Sequence, residues 1–148
     1  MSMTDVFRSL GHADALKLRG EAASLTGTQI IDREVSIPAW RADADYSKWP
    51  AGSPVTDEGQ VWTLIQPHNA AHYAQRPAQL RALWGITHTT NPDRAKPWMD
   101  AYGISGMYQP GECYKDENGI VQRVREGYKD VIHPASEYPQ AWEAVNVG

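Results

Sequence analysis

The pattern of hydrophobic and polar positions changes period along this chain. Between residues 13 and 25, Ala15, Leu18, Ala22 and Leu25 recur at spacings of three, four and three. Those spacings place them on one stripe of a helix, and Gly11 begins the stripe one step earlier. Gly20 weakens such a helix by about 1 kcal/mol relative to alanine, and Gly27 stands where a C-cap would stop it. A helix this short is marginal alone. Its stripe must be buried, either on the rest of the chain or against further copies. Ile30, Ile31, Val35 and Ile37 follow with charged residues between them, which predicts an extended connector ended by Pro38. Beyond it the apolar runs are short. Strands are predicted over 54–57, 60–66, 112–116 and 120–126, in pairs that bracket Gly59 and Gly119. A polar loop spans 67–81, with a helical turn over 78–83. A second connector over 85–97 holds a short strand over 86–89 and a turn at Asn91-Pro92-Asp93-Arg94.

The landmarks of the first strand pair return in the second. Trp49, Gly52 and Val55 are matched in spacing by Tyr108, Gly111 and Tyr114. Gly59 leads its strand as Gly119 does, and Pro77 and Trp84 are answered by Pro134 and Trp142. Four landmarks in one order, twice, define an internal repeat. The fold class expected is mainly β: an N-terminal α-helix followed by two small tandem three-stranded β modules with long loops. The segments are 1–34 as an anchor or oligomerisation segment, 35–85 as the first unit and 86–148 as the second.

Units this small bury little of their surface. Six tryptophans and seven tyrosines against one phenylalanine can compensate, because a few large rings make a core where aliphatics are scarce. A net charge of −4 argues against nucleic acid as the main partner. No apolar run approaches the ~20 residues of a membrane span, and the N-terminus lacks a basic-then-apolar signal. The single cysteine, Cys113, excludes an internal disulfide framework.

The order Trp40, aromatic, Gly52, Val55, Gly59, Trp62, Pro77, Trp84 resembles the small carbohydrate-binding modules of the chitin-binding type. A closer resemblance is to tailed-phage and prophage virion proteins with two such modules behind a helix of the kind Ala15-Leu-Lys-Leu-Arg19. There the first module ends in Ala-Leu-Trp, as at 82–84, and the second in Tyr-Pro-x-x-Trp, as at Tyr138 to Trp142. Gln66-Pro-His68 matches the phage variant, and the resemblance runs from about Ala15 to Val145. The family's Asp after the first glycine is replaced by Ser53 and Glu112. Its paired tryptophans after the second strand are replaced by Pro67-His68 and Gly127-Tyr128.

The resemblance implies a virion structural protein, a head-fibre, decoration or tail-fibre component, made in a bacterial cytoplasm. Its modules would attach to surface glycans. The alternative is a purely structural capsid or tail module without a glycan ligand. Residues 1–34 are expected to self-associate, as a homotrimer, and other virion proteins to be partners. No nucleic acid, membrane insertion, cofactor or catalytic group is expected.

Sugar recognition needs flat apolar faces beside polar groups. The candidates by position are Trp49, Trp62, His68, Tyr73 and, in the second unit, Tyr128. Trp49 and Trp62 can equally be core. Trp40, Trp84, Trp98 and Trp142 are read as core. His68 and His72 stand four apart but lack a third metal ligand. Cys113, in a predicted strand, reads as a buried thiol. Asp57-Glu58 and Asp116-Glu117 precede glycine turns and read as turn chemistry rather than a catalytic pair.

Overall fold

The computed structural model describes residues 14–147. Helix α1 covers residues 14–21 and runs into a 3-10 turn at Ala22–Ser24. The connector predicted as extended is helical instead. Helix α2 is Gly27–Asp32 and a 3-10 turn follows at Glu34–Ser36. Gly27 therefore opens a helix rather than closing one. Ile30 and Ile31 are buried on α2, so burial outweighs the β preference of the branched pair. Glu21 pairs with Arg33.

The strands are β1 (Pro54–Asp57), β2 (Gln60–Leu64), β3 (Trp84–Ile86), β4 (Lys96–Pro97), β5 (Cys113–Lys115), β6 (Val121–Val124) and β7 (Trp142–Val145). They form two sheets, β1-β2-β3 and β4-β5-β6-β7. The fold is thus mainly β, as the pattern predicts, although the second sheet gains the two-residue strand β4, parallel to β5. Thr87, His88 and Thr89 lie beyond β3 and are buried.

The chain divides into two compact units. The first takes residues up to Thr26 with Arg33–Gly85, and the second takes Gly27–Asp32 with Ile86 onward. The segment expected as a separate anchor is thus shared out, and its first 13 residues lie outside those described.

In the first unit Leu18 and Ala22 are buried, and Gly52 lies against Ala23. This buries part of the helical stripe within the chain. The core holds Val55, Val61, Trp62, Leu64 and Trp84, with Tyr46 set edge-on to Trp84 at 5.2 Å. In the second unit Tyr108, Tyr114, Val124, Val131, Ala141 and Trp142 form the core.

The repeat is visible in the hydrogen bonds. Gly52 N–H donates to Leu64 O, and Leu64 N–H to Ser53 O; Gly111 pairs with Val124, and Val124 with Glu112, in the same way. Gly52 and Gly111 have φ of 93° and 84°, and Gly59 and Gly119 both 78°. These left-handed turns suit glycine. In the first hairpin Glu58 is also left-handed, with φ 51°, and Asp57 pairs with Gln60, a two-residue loop. The second hairpin holds Glu117, Asn118 and Gly119 between Asp116 and Ile120, with Asp116 N–H donating to Ile120 O. One residue more in this turn explains why the glycine spacing lengthens from seven to eight.

One landmark of the repeat shifts. The residue equivalent to Tyr108 is Tyr46, not Trp49. The Tyr46 hydroxyl accepts from Arg41 N–H (3.0 Å) just as the Tyr108 hydroxyl accepts from Met99 N–H (3.4 Å). Trp40 and Trp98 therefore occupy the same place, each one residue before that N–H. The strand pairing agrees: Ala39 bridges Thr56 in parallel, and Pro97 pairs with Lys115 in parallel.

Candidate functional site

Of the five candidate residues only His68 and Tyr73 meet, and Tyr128 belongs to the other unit. Trp62 is 1 % exposed, so it presents no face to a ligand, and the expectation that it could is corrected. It lies on β2 beside Val61, which is buried as well, so both faces of this strand are covered. Arg81 stands over its ring at 5.3 Å. His68 is also buried. Its Nδ1–H donates to Gln66 O (2.8 Å), and its ring meets Trp84 at 5.4 Å and Tyr73 at 5.5 Å, both edge-on. It works as a core residue rather than as a ligand platform.

Trp49 is half-buried. The Arg19 guanidinium covers it at 3.4 Å from the ring centre, and Tyr46 meets it edge-on at 4.6 Å. Burial lowers the pKa of Arg19 from its ordinary value. Tyr73 is exposed and touches only the edge of His68 among the rings. Tyr128 is half-buried against the second core and lies 6.0 Å from Tyr138.

Two grooves among the described residues lie beside Trp98 instead, a ring that the sequence pattern assigns to the core. One face of Trp98 stacks on Tyr108 at 4.7 Å and 14°. Tyr114 and Trp142 cross it at 74°, with ring centres 5.0 and 6.0 Å away. Its indole N–H donates to Asp100 (2.8 Å). The remainder borders two open grooves. The larger, of about 680 Å³, is lined by Trp98, Lys115, Asp116, Glu117, Gln122 and Pro134. The smaller, of about 630 Å³, runs past Trp98, Asp100, His133 and Glu137.

The β5–β6 turn fixes the polar wall of the larger groove. Asp116 Oδ1 accepts from the N–H groups of Asn118 and Ile120, both at 2.9 Å, and Oδ2 accepts from Gln122 Nε2 at 3.4 Å. Those bonds, led by the one from Ile120, lower the pKa of Asp116 and keep it ionised. The floor is rigid because the Tyr114 hydroxyl accepts from Ala135 N–H (2.9 Å), and Trp142 Nε1–H donates to His133 O (2.8 Å). A half-buried indole beside a carboxylate and an amide is a surface on which a pyranose ring can stack and offer its hydroxyls.

The place equivalent to the larger groove is filled in the first unit. There Arg76 lies over Trp40 at 5.3 Å and donates twice to Asp57, the residue equivalent to Asp116, at 2.8 and 3.0 Å.

The signal for Trp98 was present in the sequence. Trp40 stands 15 residues before Val55 and Trp98 stands 16 before Tyr114, the equivalent strand residues of their units, with Tyr46 and Tyr108 between. Their partial exposure depends on how the loops return, which spacing does not carry.

Among the described residues no group of three or more His, Cys, Asp or Glu is placed to hold a metal ion, and no helix is long and apolar enough to cross a membrane. The chain matches no protein-family model and no curated protein.

Proposed function

We propose that the chain is a structural protein of a tailed-phage particle, a head-fibre, decoration or tail-fibre component, and that its β units attach the particle to surface glycans. The observation that carries the glycan half of this reading is Trp98, half-buried between two grooves whose walls carry carboxylates and an amide. Attachment is adhesion without chemistry. Each contact is weak, and many copies on one particle multiply avidity by about 10² to 10⁴. Self-association through residues 1–34, proposed as a homotrimer, would use outward side chains such as Leu16 among the described residues of that segment, since Leu18 and Ala22 are buried within the chain.

A second reading, a capsid or tail module with no glycan ligand, draws support from the aromatics that serve packing. Trp62 and Trp84 are buried and Trp49 lies beneath Arg19. A glycan array separates the two. The first reading expects binding that Trp98→Ala lowers at least about tenfold with the far-UV spectrum unchanged, since a stacking ring contributes about 1.4 kcal/mol or more. No binding to any glycan by the unaltered protein leaves the structural module.

A further inference from the structure

The two units answer each other position by position, and this makes the first a guide to what the second can hold. In the first unit Arg76 precedes Pro77 on the loop that returns to Trp84. Its guanidinium lies over Trp40 and bonds Asp57 through two nitrogens, with Glu58 at 3.5 Å. A flat cation therefore already sits between the equivalent tryptophan and the equivalent aspartate. In the second unit the returning loop brings Pro134, Ala135 and Ser136 to the groove, none of them charged. His133, ahead of Pro134, turns instead to Glu137 at 3.1 Å. The indole and the carboxylate recur in both repeats, but in the second the returning loop brings no cation to join them, and the only charged residues of the lining are Lys115, Asp116 and Glu117.

We propose that the groove between Trp98 and Asp116 takes an amino sugar with a free, protonated amine, whose ammonium stands where Arg76 stands in the first unit. This rests on the glycan reading above and narrows it. The pyranose would stack on the open part of the Trp98 face, and its ammonium would meet Asp116, with Glu117 on the same wall. A cation near an indole face gains further from the ring quadrupole. Lys115, which also lines the groove, opposes a cation, but two carboxylates, Asp116 and Glu117, share that lining with it. The same balance disfavours sialic and uronic acids. The first unit, its place held by Arg76, contributes no second site of this kind.

The test is calorimetric titration of the full chain with a glucosamine hexamer and with its fully N-acetylated counterpart, at a pH that keeps the free amine protonated. The expected result is one site per chain and a preference of about tenfold or more for the free amine, because a hydrogen bond between charged groups contributes at least about 1.4 kcal/mol. Asp116→Asn keeps the turn, since asparagine makes the same bonds to the following N–H groups, and it should erase the preference, weakening the free-amine hexamer by about tenfold more than its acetylated counterpart. Salt should weaken the preference as well. Equal binding of the two hexamers overturns this inference and leaves the glycan reading standing. Binding of neither overturns this inference alone; the glycan reading falls only if the unaltered protein binds no glycan on the array. An arginine-containing peptide that binds more tightly than the glucosamine hexamer overturns it too, and assigns the groove to a protein partner.

Discussion

The guanidinium carbon of Arg19 lies 3.4 Å from the centre of the Trp49 ring. This contact ties helix α1 to the turn that begins the first hairpin. It also explains why Trp49, a candidate sugar platform by sequence, has one face covered from within the chain. Arg19→Ala should uncover that face. We expect greater quenching of tryptophan emission by acrylamide and a loss of about 0.5 to 1 kcal/mol in urea unfolding, the magnitude of a partly exposed cation–π pair. Unchanged quenching would show that the contact is not maintained in solution.

Two glycines of the repeat separate turn strain from packing. Gly52 and Gly119 both have positive φ, at 93° and 78°. A Cβ on Gly119 meets nothing within 4 Å, whereas one on Gly52 comes within 2.9 Å of Ala23 backbone. Gly119→Ala should therefore lower stability by about 1 kcal/mol, the penalty of a left-handed alanine. Gly52→Ala should add overpacking and lower it by about 2 to 4 kcal/mol. Equal losses in chemical denaturation would mean that residues near Ala23 do not pack on the first unit.

Glu112 carries a pH dependence. Burial raises its pKa above the ordinary 4.5, although its side chain accepts a hydrogen bond from Gln109 N–H at 2.7 Å. A raised carboxyl pKa means that the folded state binds the proton more tightly than the unfolded chain. Its contribution to stability is therefore full below the unfolded pKa and is lost as pH rises from about 4.5 through the folded value. Glu112→Gln should flatten this part of the profile and raise the melting temperature at neutral pH. A variant with the wild-type profile would place the proton elsewhere.

Cys113 is buried in β5, with its thiol directed at Thr89 O at 3.3 Å, and burial pushes its pKa up to about 11. The thiolate is the reactive form. Folded protein at pH 8 should resist iodoacetamide over hours and react within minutes in denaturant. Rapid labelling of the folded protein would contradict the packing of the second core.

Much of the fold is legible in the sequence, and the exceptions have physical causes. Val55, Gly59 and Leu64 announce the first hairpin because a left-handed glycine between two short runs of strand-forming residues leaves a local mark. Ile30 and Ile31 mislead, since adjacent branched residues suit a strand, and only their burial makes them helical. Trp49 displaces Tyr46 in the repeat because the loop to Gly52 is three residues longer than the loop from Tyr108 to Gly111. Spacing alone cannot see which ring hydroxyl caps which N–H. The candidate site was read least well. Trp62 and Trp98 differ in burial through tertiary contacts, and the filling of the first groove by Arg76 depends on a partner 19 residues away.

The most direct test of the central claim, that the second unit binds through Trp98, is a heteronuclear NMR titration that follows the six indole N–H signals as the glucosamine hexamer is added. The Trp98 indole should shift and saturate, while those of Trp62 and Trp84, buried in the first unit, stay in place. Shifts confined to the first unit, or no shift at any indole at millimolar hexamer, would contradict it.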